Sequence, residues 1–172
     1  MKAIHKILII AFVLSVNSCI ENNPNSEAEK VLDNRQISEH TTEVTEGDIK
    51  KTVYVPIYSE IYNRTKETSV LLTATLSIRN TSETDTLFLS RVAYYNTEGT
   101  LVSQYLEQAI YLKPMETIDY VIEEKDDVGG AGANFLIDWY ANRPIKPLFQ
   151  AVMIGAVSNQ AFSFTTQGMN VR

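Results

Sequence analysis

The chain has 172 residues with 44% hydrophobic and 21% charged residues, a size that fits one folded domain with appendages. Its formal charge of -6 argues against nucleic acid as a partner, since binding there rests on neutralising phosphates with Lys and Arg, and against broad adhesion to anionic lipid. One cysteine, Cys19, excludes an intramolecular disulfide.

The first residues have the pattern of an export signal. Lys2, His5 and Lys6 give a basic start, and the apolar run over residues 7–16 is too short to span a bilayer. The run ends Leu14-Ser-Val-Asn-Ser-Cys19, with a small residue directly before the cysteine. This resembles the lipobox of bacterial lipoproteins, although Asn17 is an unusual occupant of it. The resemblance implies cleavage before Cys19 and lipidation of its sulfur, with residues 1–18 as the signal. Acyl chains contribute about 0.8 kcal/mol per buried CH₂, so several of them would hold the protein on a membrane. Ile20 is not the aspartate associated with inner-membrane retention, which favours an outer-membrane location. Loss of Lys2 and Lys6 with the signal makes the mature chain more acidic still.

Residues 19–51 read as the lipidated cysteine and a polar tether. This stretch has few apolar residues and no aromatic ones, so it cannot bury enough surface to offset its ordering entropy. As a coil it would reach roughly 30 Å. His40, the one histidine left in the mature chain, lies within it.

From residue 52 to 172 the hydrophobic period becomes two, which predicts strands. Val53, Val55 and Ile57 alternate with Tyr54, Pro56 and Tyr58, and Pro56 marks an edge or a bulge. Residues 59–68 read as a polar connection. Residues 70–79 form the clearest strand, with Leu72, Ala74, Leu76 and Ile78 on one side. A turn follows at 80–85. Leu87 and Leu89 then share a parity that Val92 and Tyr94 do not, which predicts a bulge near Ser90 and Arg91. A hairpin turn at 96–99 with Gly99 leads into short strands at 101–106 and 110–112. After a corner at 113–116, Ile118, Tyr120 and Ile122 alternate. The glycine loop comes next, and beyond it Phe135, Ile137 and Trp139 alternate. Residues 149–156 read as a strand buried on both faces or central in its sheet, and 160–166 as the last strand before a short tail. Eight or nine short strands with regular turns and no helix predict an antiparallel, immunoglobulin-like β-sandwich, with a closed β-barrel as the alternative.

Several phrases in this domain are specific. They are Val53-Tyr-Val-Pro-Ile-Tyr-Ser59, Ile61-Tyr62, Leu72-Thr-Ala-Thr-Leu-Ser-Ile-Arg-Asn-Thr-Ser82, Tyr94-Tyr95, Gly99, Gly129-Gly130, Gly132-Ala-Asn-Phe135, Trp139 and Ala151-Val-Met-Ile-Gly155. Together they resemble the bacterial domain of unknown function 3124, from about Val53 to Gly168. The resemblance implies an envelope protein, often a lipoprotein, and implies no activity. Family members often carry histidine where Glu60 stands here.

The glycine loop is the first candidate site. Asp126, Asp127, Gly129, Gly130, Gly132, Asn134 and Phe135 form either a tight strand connection or a loop that presents backbone N–H groups to a ligand. It does not form a nucleotide site. Phe135 stands where the third glycine of GxGxxG belongs, and a strand pattern follows where a helix is needed. A calcium site would draw on Asp126, Asp127, Asn134 and Asp138, without the spacing of a calcium loop. Tyr54, Tyr58 and Tyr62 are a candidate binding surface, because tyrosine suits both interfaces and half-buried strand positions. Trp139 reads as core or as a sugar-stacking ring. The domain has no thiol, histidine or serine-nucleophile motif, so catalysis would rest on carboxylates such as Glu124, Asp126 or Asp138. The sequence therefore predicts a lipid-anchored, non-enzymatic module that binds an envelope protein or a glycan, with no cofactor and no nucleic acid. A glycan-binding module and a carboxylate-dependent hydrolase are the alternatives.

Overall fold

The computed structural model describes residues 49–172. The signal-like segment 1–18, Cys19 and the tether up to residue 48 lie outside the described residues. Within them the chain forms twelve strands and no helix. A six-stranded sheet contains β12 (Met169–Asn170), β1 (Ile49–Pro56), β9 (Asn134–Ala141), β5 (Leu87–Tyr95) and β6 (Leu101–Gln104) in that order, with β7 (Ile110–Leu112) also paired to β5. A four-stranded sheet runs β11 (Gln160–Gln167), β10 (Leu148–Val157), β4 (Thr73–Arg79) and β8 (Thr117–Ile122). The remaining strands, β2 (Glu60–Asn63) and β3 (Thr65–Leu71), pair only with each other. All pairings are antiparallel.

The arrangement is a β-sandwich, and the strands do not close into a barrel. Alternation sets the core. Val53 and Val55 of β1, Leu87, Leu89, Val92 and Tyr94 of β5, and Phe135 and Ile137 of β9 are buried on the six-stranded side. Facing them are Ala74, Leu76 and Ile78 of β4, Ile118, Tyr120 and Ile122 of β8, and Phe149, Ala151 and Met153 of β10. Rings meet across the layers: Trp139 lies 6.3 Å from Phe149, and Tyr105 lies 4.9 Å from Tyr120 and 5.9 Å from Phe135.

The strand count exceeds the sequence expectation for three local reasons. Residues 59–68 are not a plain connection but supply β2 and most of β3, an exposed hairpin turned by Arg64 at φ 68°. Residues 70–79 are interrupted at Leu72, whose amide is taken by the Ser59 carbonyl at 2.8 Å while its side chain enters the core. The tail is not loose, because Met169 and Asn170 pair with Tyr54 and Val53. β1 also starts earlier than its period-two pattern, since Ile49 to Lys51 pair with Ala141 to Trp139. Elsewhere the expectations hold. The register of β5 shifts between Leu89 and Arg91, Gly99 turns with φ 77°, and β10 is central, flanked by β11 and β4.

Candidate functional site

The glycine loop, residues 123–133, carries the chain from β8 at an edge of one sheet to β9 inside the other. It is therefore a crossover between layers, tied down on both flanks. On one flank the Gly130 amide donates to Ser59 Oγ at 2.7 Å, and the Ser59 amide donates to the Gly130 carbonyl at 3.2 Å. On the other, Thr97 Oγ1 accepts the Gly132 amide at 2.9 Å and donates to the Gly129 carbonyl at 3.0 Å. The Thr97 amide reaches that same carbonyl at 2.9 Å. The Gly130 and Gly132 amides, which a ligand-presenting loop would point outward, are thus bonded within the domain.

The glycines are needed for close approach and for turning. A Cβ on Gly129 would stand 1.8 Å from Tyr94 Oη and 2.9 Å from Ser59 Oγ, and Gly130 sits at φ 75°. Tyr94 is enclosed beneath the loop. Burial pushes its hydroxyl up to about 12, with Ser59 pulling the other way and Asp126 adding to the rise. Tyr105 is raised too, by burial and then by Asp126. Asp126 Oδ1 accepts the Val128 amide at 3.3 Å, so this acid shapes its own turn. Asp127 is exposed, Asn134 opens β9 opposite Pro56 and Tyr95, and Phe135 is core.

The other sequence candidates do not assemble. Tyr54 lies on the outer face of the six-stranded sheet, between Met169 and Leu136. Tyr58 has left β1 after Pro56 and meets Phe164 of β11 edge-on at 5.7 Å. Tyr62 is 63% exposed on the β2–β3 hairpin. Alternation would have aligned them only if β1 had continued, and it stops at Pro56. Trp139 is only 4% exposed, so its ring cannot serve as a sugar platform. Asn134 and Asp138 share a face of β9 but stand four residues apart, about 13 Å along a strand, too far to ligate one cation. Among the described residues no three His, Cys, Asp or Glu side chains converge as metal ligands. Glu124 and Asp126 sit on the crossover loop, whereas Asp138 lies mid-strand in β9.

Asp138 belongs to a different constellation. Thr52, Asp138 and Arg91 stand side by side on β1, β9 and β5. Arg91 Nε lies 2.7 Å from Asp138 Oδ2 and its Nη2 lies 3.0 Å from Oδ1, while Thr52 Oγ1 donates to Oδ1 at 2.7 Å. Partial burial raises the Asp138 pKa, but the Arg91 and Thr52 hydrogen bonds and the charges of Arg91 and Arg172 outweigh it and bring the carboxyl below its ordinary value. Arg91 is raised, chiefly by its hydrogen bond to Asp138. Two bulges build this row. Ser90 and Arg91 crowd opposite Asp138 on one side. On the other, the Thr52 amide donates to the Arg172 carbonyl and the Val171 amide to the Thr52 carbonyl, both at 2.9 Å, so two residues oppose one. Above the row is a cavity of about 420 Å³ lined by Lys50, Thr52, Arg91, Asp138, Tyr140 and Arg172 among others.

A family model described as "Protein of unknown function (DUF3124)" matches residues 50–171. The chain belongs to this family. No curated protein matches it. Among solved structures, the crystal structure of Thermotoga maritima 1070 is similar at 15% identity with a TM-score of 0.41, over 69% of this chain and 92% of that one.

Within this DUF3124 domain, sequence reasoning missed the Thr52–Asp138–Arg91 row and its cavity. The signal was present in the parity change at Ser90 and Arg91, since a bulge re-aims a side chain as well as bending a strand. What the pattern did not hold was the partner strand, because pairing between residues 47 positions apart leaves no trace in local periodicity.

Proposed function

We propose that this DUF3124 chain is a lipid-anchored, non-enzymatic binding module of the bacterial cell envelope, held through Cys19 and engaging its partner through the outer face of the six-stranded sheet. The observation that carries the reading is the composition of that face. Met169 at 61% exposed, Val171 at 47% and Leu101 at 50% lie there with Tyr54, Leu136, Tyr95 and Phe88 around the Arg91–Asp138 pair. Such a mixture of tyrosines, aliphatic side chains and one ordered ion pair is typical of binding surfaces. The outer face of the four-stranded sheet instead carries Thr73, Thr75, Ser77, Asp119, Gln150, Ser163 and Thr165, with Val121, Val152 and Ile154 as apolar exceptions.

Two measurements test it. Metabolic labelling with a palmitate analogue should mark the wild-type chain and not Cys19→Ala; equal labelling removes the anchor. Photo-crosslinkers placed at Tyr54 and at Thr75 in cells should capture a defined partner from Tyr54 only. Capture that is equal from the two positions, or absent from both, rules out the sheet face.

A further inference from the structure

The cavity over Asp138 departs from the charge balance of the rest of the molecule. Residues 49–172 contain eleven Lys and Arg and thirteen Asp and Glu. Four of those cations, Lys50, Lys51, Arg91 and Arg172, line this one cavity, and Asp138 is the only acid that does. Asp138 is already engaged by Arg91 and Thr52. No acid among the described residues stands at ion-pair distance from Lys50, Lys51 or Arg172. Lys51 pairs with Trp139 and shares its inward parity, so on the outer side Lys50, Arg91 and Arg172 stand against Asp138, a surplus of two positive charges. A volume near 420 Å³ falls in the range of small-ligand sites, and low-dielectric walls focus the field of the cations lining them.

The geometry shows construction. The bulge in β5 turns Arg91 over Asp138, and the bulge at Val171 and Arg172 brings Arg172 to the lining of the same cavity. Asp138 and Thr52 hold Arg91 in one orientation, which removes part of the ordering cost of an anion contact. A surplus of two positive charges matches a dianion better than a single carboxylate. A phosphate monoester carries close to two negative charges at neutral pH, and arginine donors suit its oxygens.

We propose that this cavity binds a phosphate monoester group, on a soluble ligand or on a membrane lipid. It rests on the reading of the six-stranded face as the binding face and adds the chemistry recognised at one end of it. That end is where β1 begins at Ile49.

Trp139 has the inward parity of β9 and packs on Phe149, so binding is read by isothermal titration calorimetry rather than by its fluorescence. The full chain in non-ionic detergent is titrated with inorganic phosphate and with acetate, and then in mixed micelles containing phosphatidic acid or phosphatidylglycerol. A soluble source predicts a saturable response to phosphate, with acetate at least about tenfold weaker. A lipid source predicts a response to phosphatidic acid, the monoester, that phosphatidylglycerol does not reproduce. In either case the Lys50→Ala/Arg172→Ala variant, altered at two exposed positions, should bind about tenfold more weakly or worse. Silence toward both phosphate and phosphatidic acid overturns the proposal, as does a response that the double variant retains. If crosslinking from Tyr54 still captures a partner while phosphate is silent, the face stands and the phosphate site falls. Failure of both removes the face as well.

Discussion

At Gly129 the main chain and the Tyr94 hydroxyl compete for one space. An added methyl group would overlap Tyr94 Oη at 1.8 Å and crowd its Cζ at 2.9 Å. Gly129→Ala should therefore destabilise the domain by about 1–3 kcal/mol, the usual range for overpacking. Removing the hydroxyl removes the closest clash, so the same substitution in a Tyr94→Phe background should cost about 1 kcal/mol less, a coupling readable from urea denaturation of the four chains. Equal costs in both backgrounds would place the strain elsewhere in the loop. The same hydroxyl gives the fold an alkaline limit. Its folded pKa, about 12, lies above the ordinary value near 10, so the folded state keeps a proton that the unfolded state releases. Stability is intact below pH 10 and falls as pH rises from there, by about 1.4 kcal/mol per unit for this one group. Thermal unfolding at pH 8 and pH 11 should show a smaller alkaline loss for Tyr94→Phe than for wild type.

Asn80 shows how single elements are fastened together. Its Nδ2 donates to the carbonyls of Asp85, Leu112 and Lys113 at 2.7, 3.2 and 2.9 Å, and its Oδ1 accepts the Ser82 amide at 3.0 Å. One buried side chain thus ties the β4–β5 turn to the end of β7. Asn80→Ala would strip this donor from all three carbonyls, that of Lys113 keeping a second partner in the Glu116 amide at 3.0 Å, at a cost of about 2 kcal/mol, measured as a lower urea midpoint with unchanged slope. Composition marked 80–85 as a turn but gave no sign of this role, because the carbonyls it serves at Leu112 and Lys113 lie more than thirty residues away. The same limit runs through the fold. Alternation found the inward faces of β4, β8 and β9, and a parity change located the bulge in β5, because both are local properties. The β2–β3 hairpin was hidden because β2 is short and the first five residues of β3 are exposed and mostly polar, so no fully buried face and no period results. The glycine loop was visible as a cluster, yet its meaning lay in Ser59 and Thr97, neither of which is near it in sequence.

The two sheets of the whole domain are joined at one side by the chain itself. β11 belongs to the four-stranded sheet and β12 to the six-stranded one, and only Gly168 separates them. Its amide donates to the Phe149 carbonyl of β10 at 2.9 Å. A Cβ there would come within 2.6 Å of Val53 Cγ1 and 3.0 Å of both Phe149 Cβ and Val55 Cγ2, so the crossing passes directly over the core margin. The Thr166 hydroxyl, hydrogen-bonded to the Pro56 carbonyl, secures the same seam. β12 in turn covers the edge of β1, which would otherwise offer unpaired amides to a second molecule. Two outcomes separate these roles. Gly168→Ala should lower stability by about 1–3 kcal/mol through overpacking while the protein stays monodisperse, since β12 can still pair. Deleting residues 169–172 should leave the core seam intact but bare the β1 edge, and light scattering should then rise with protein concentration. A deletion that stays monodisperse at every concentration would mean that β1 needs no cover.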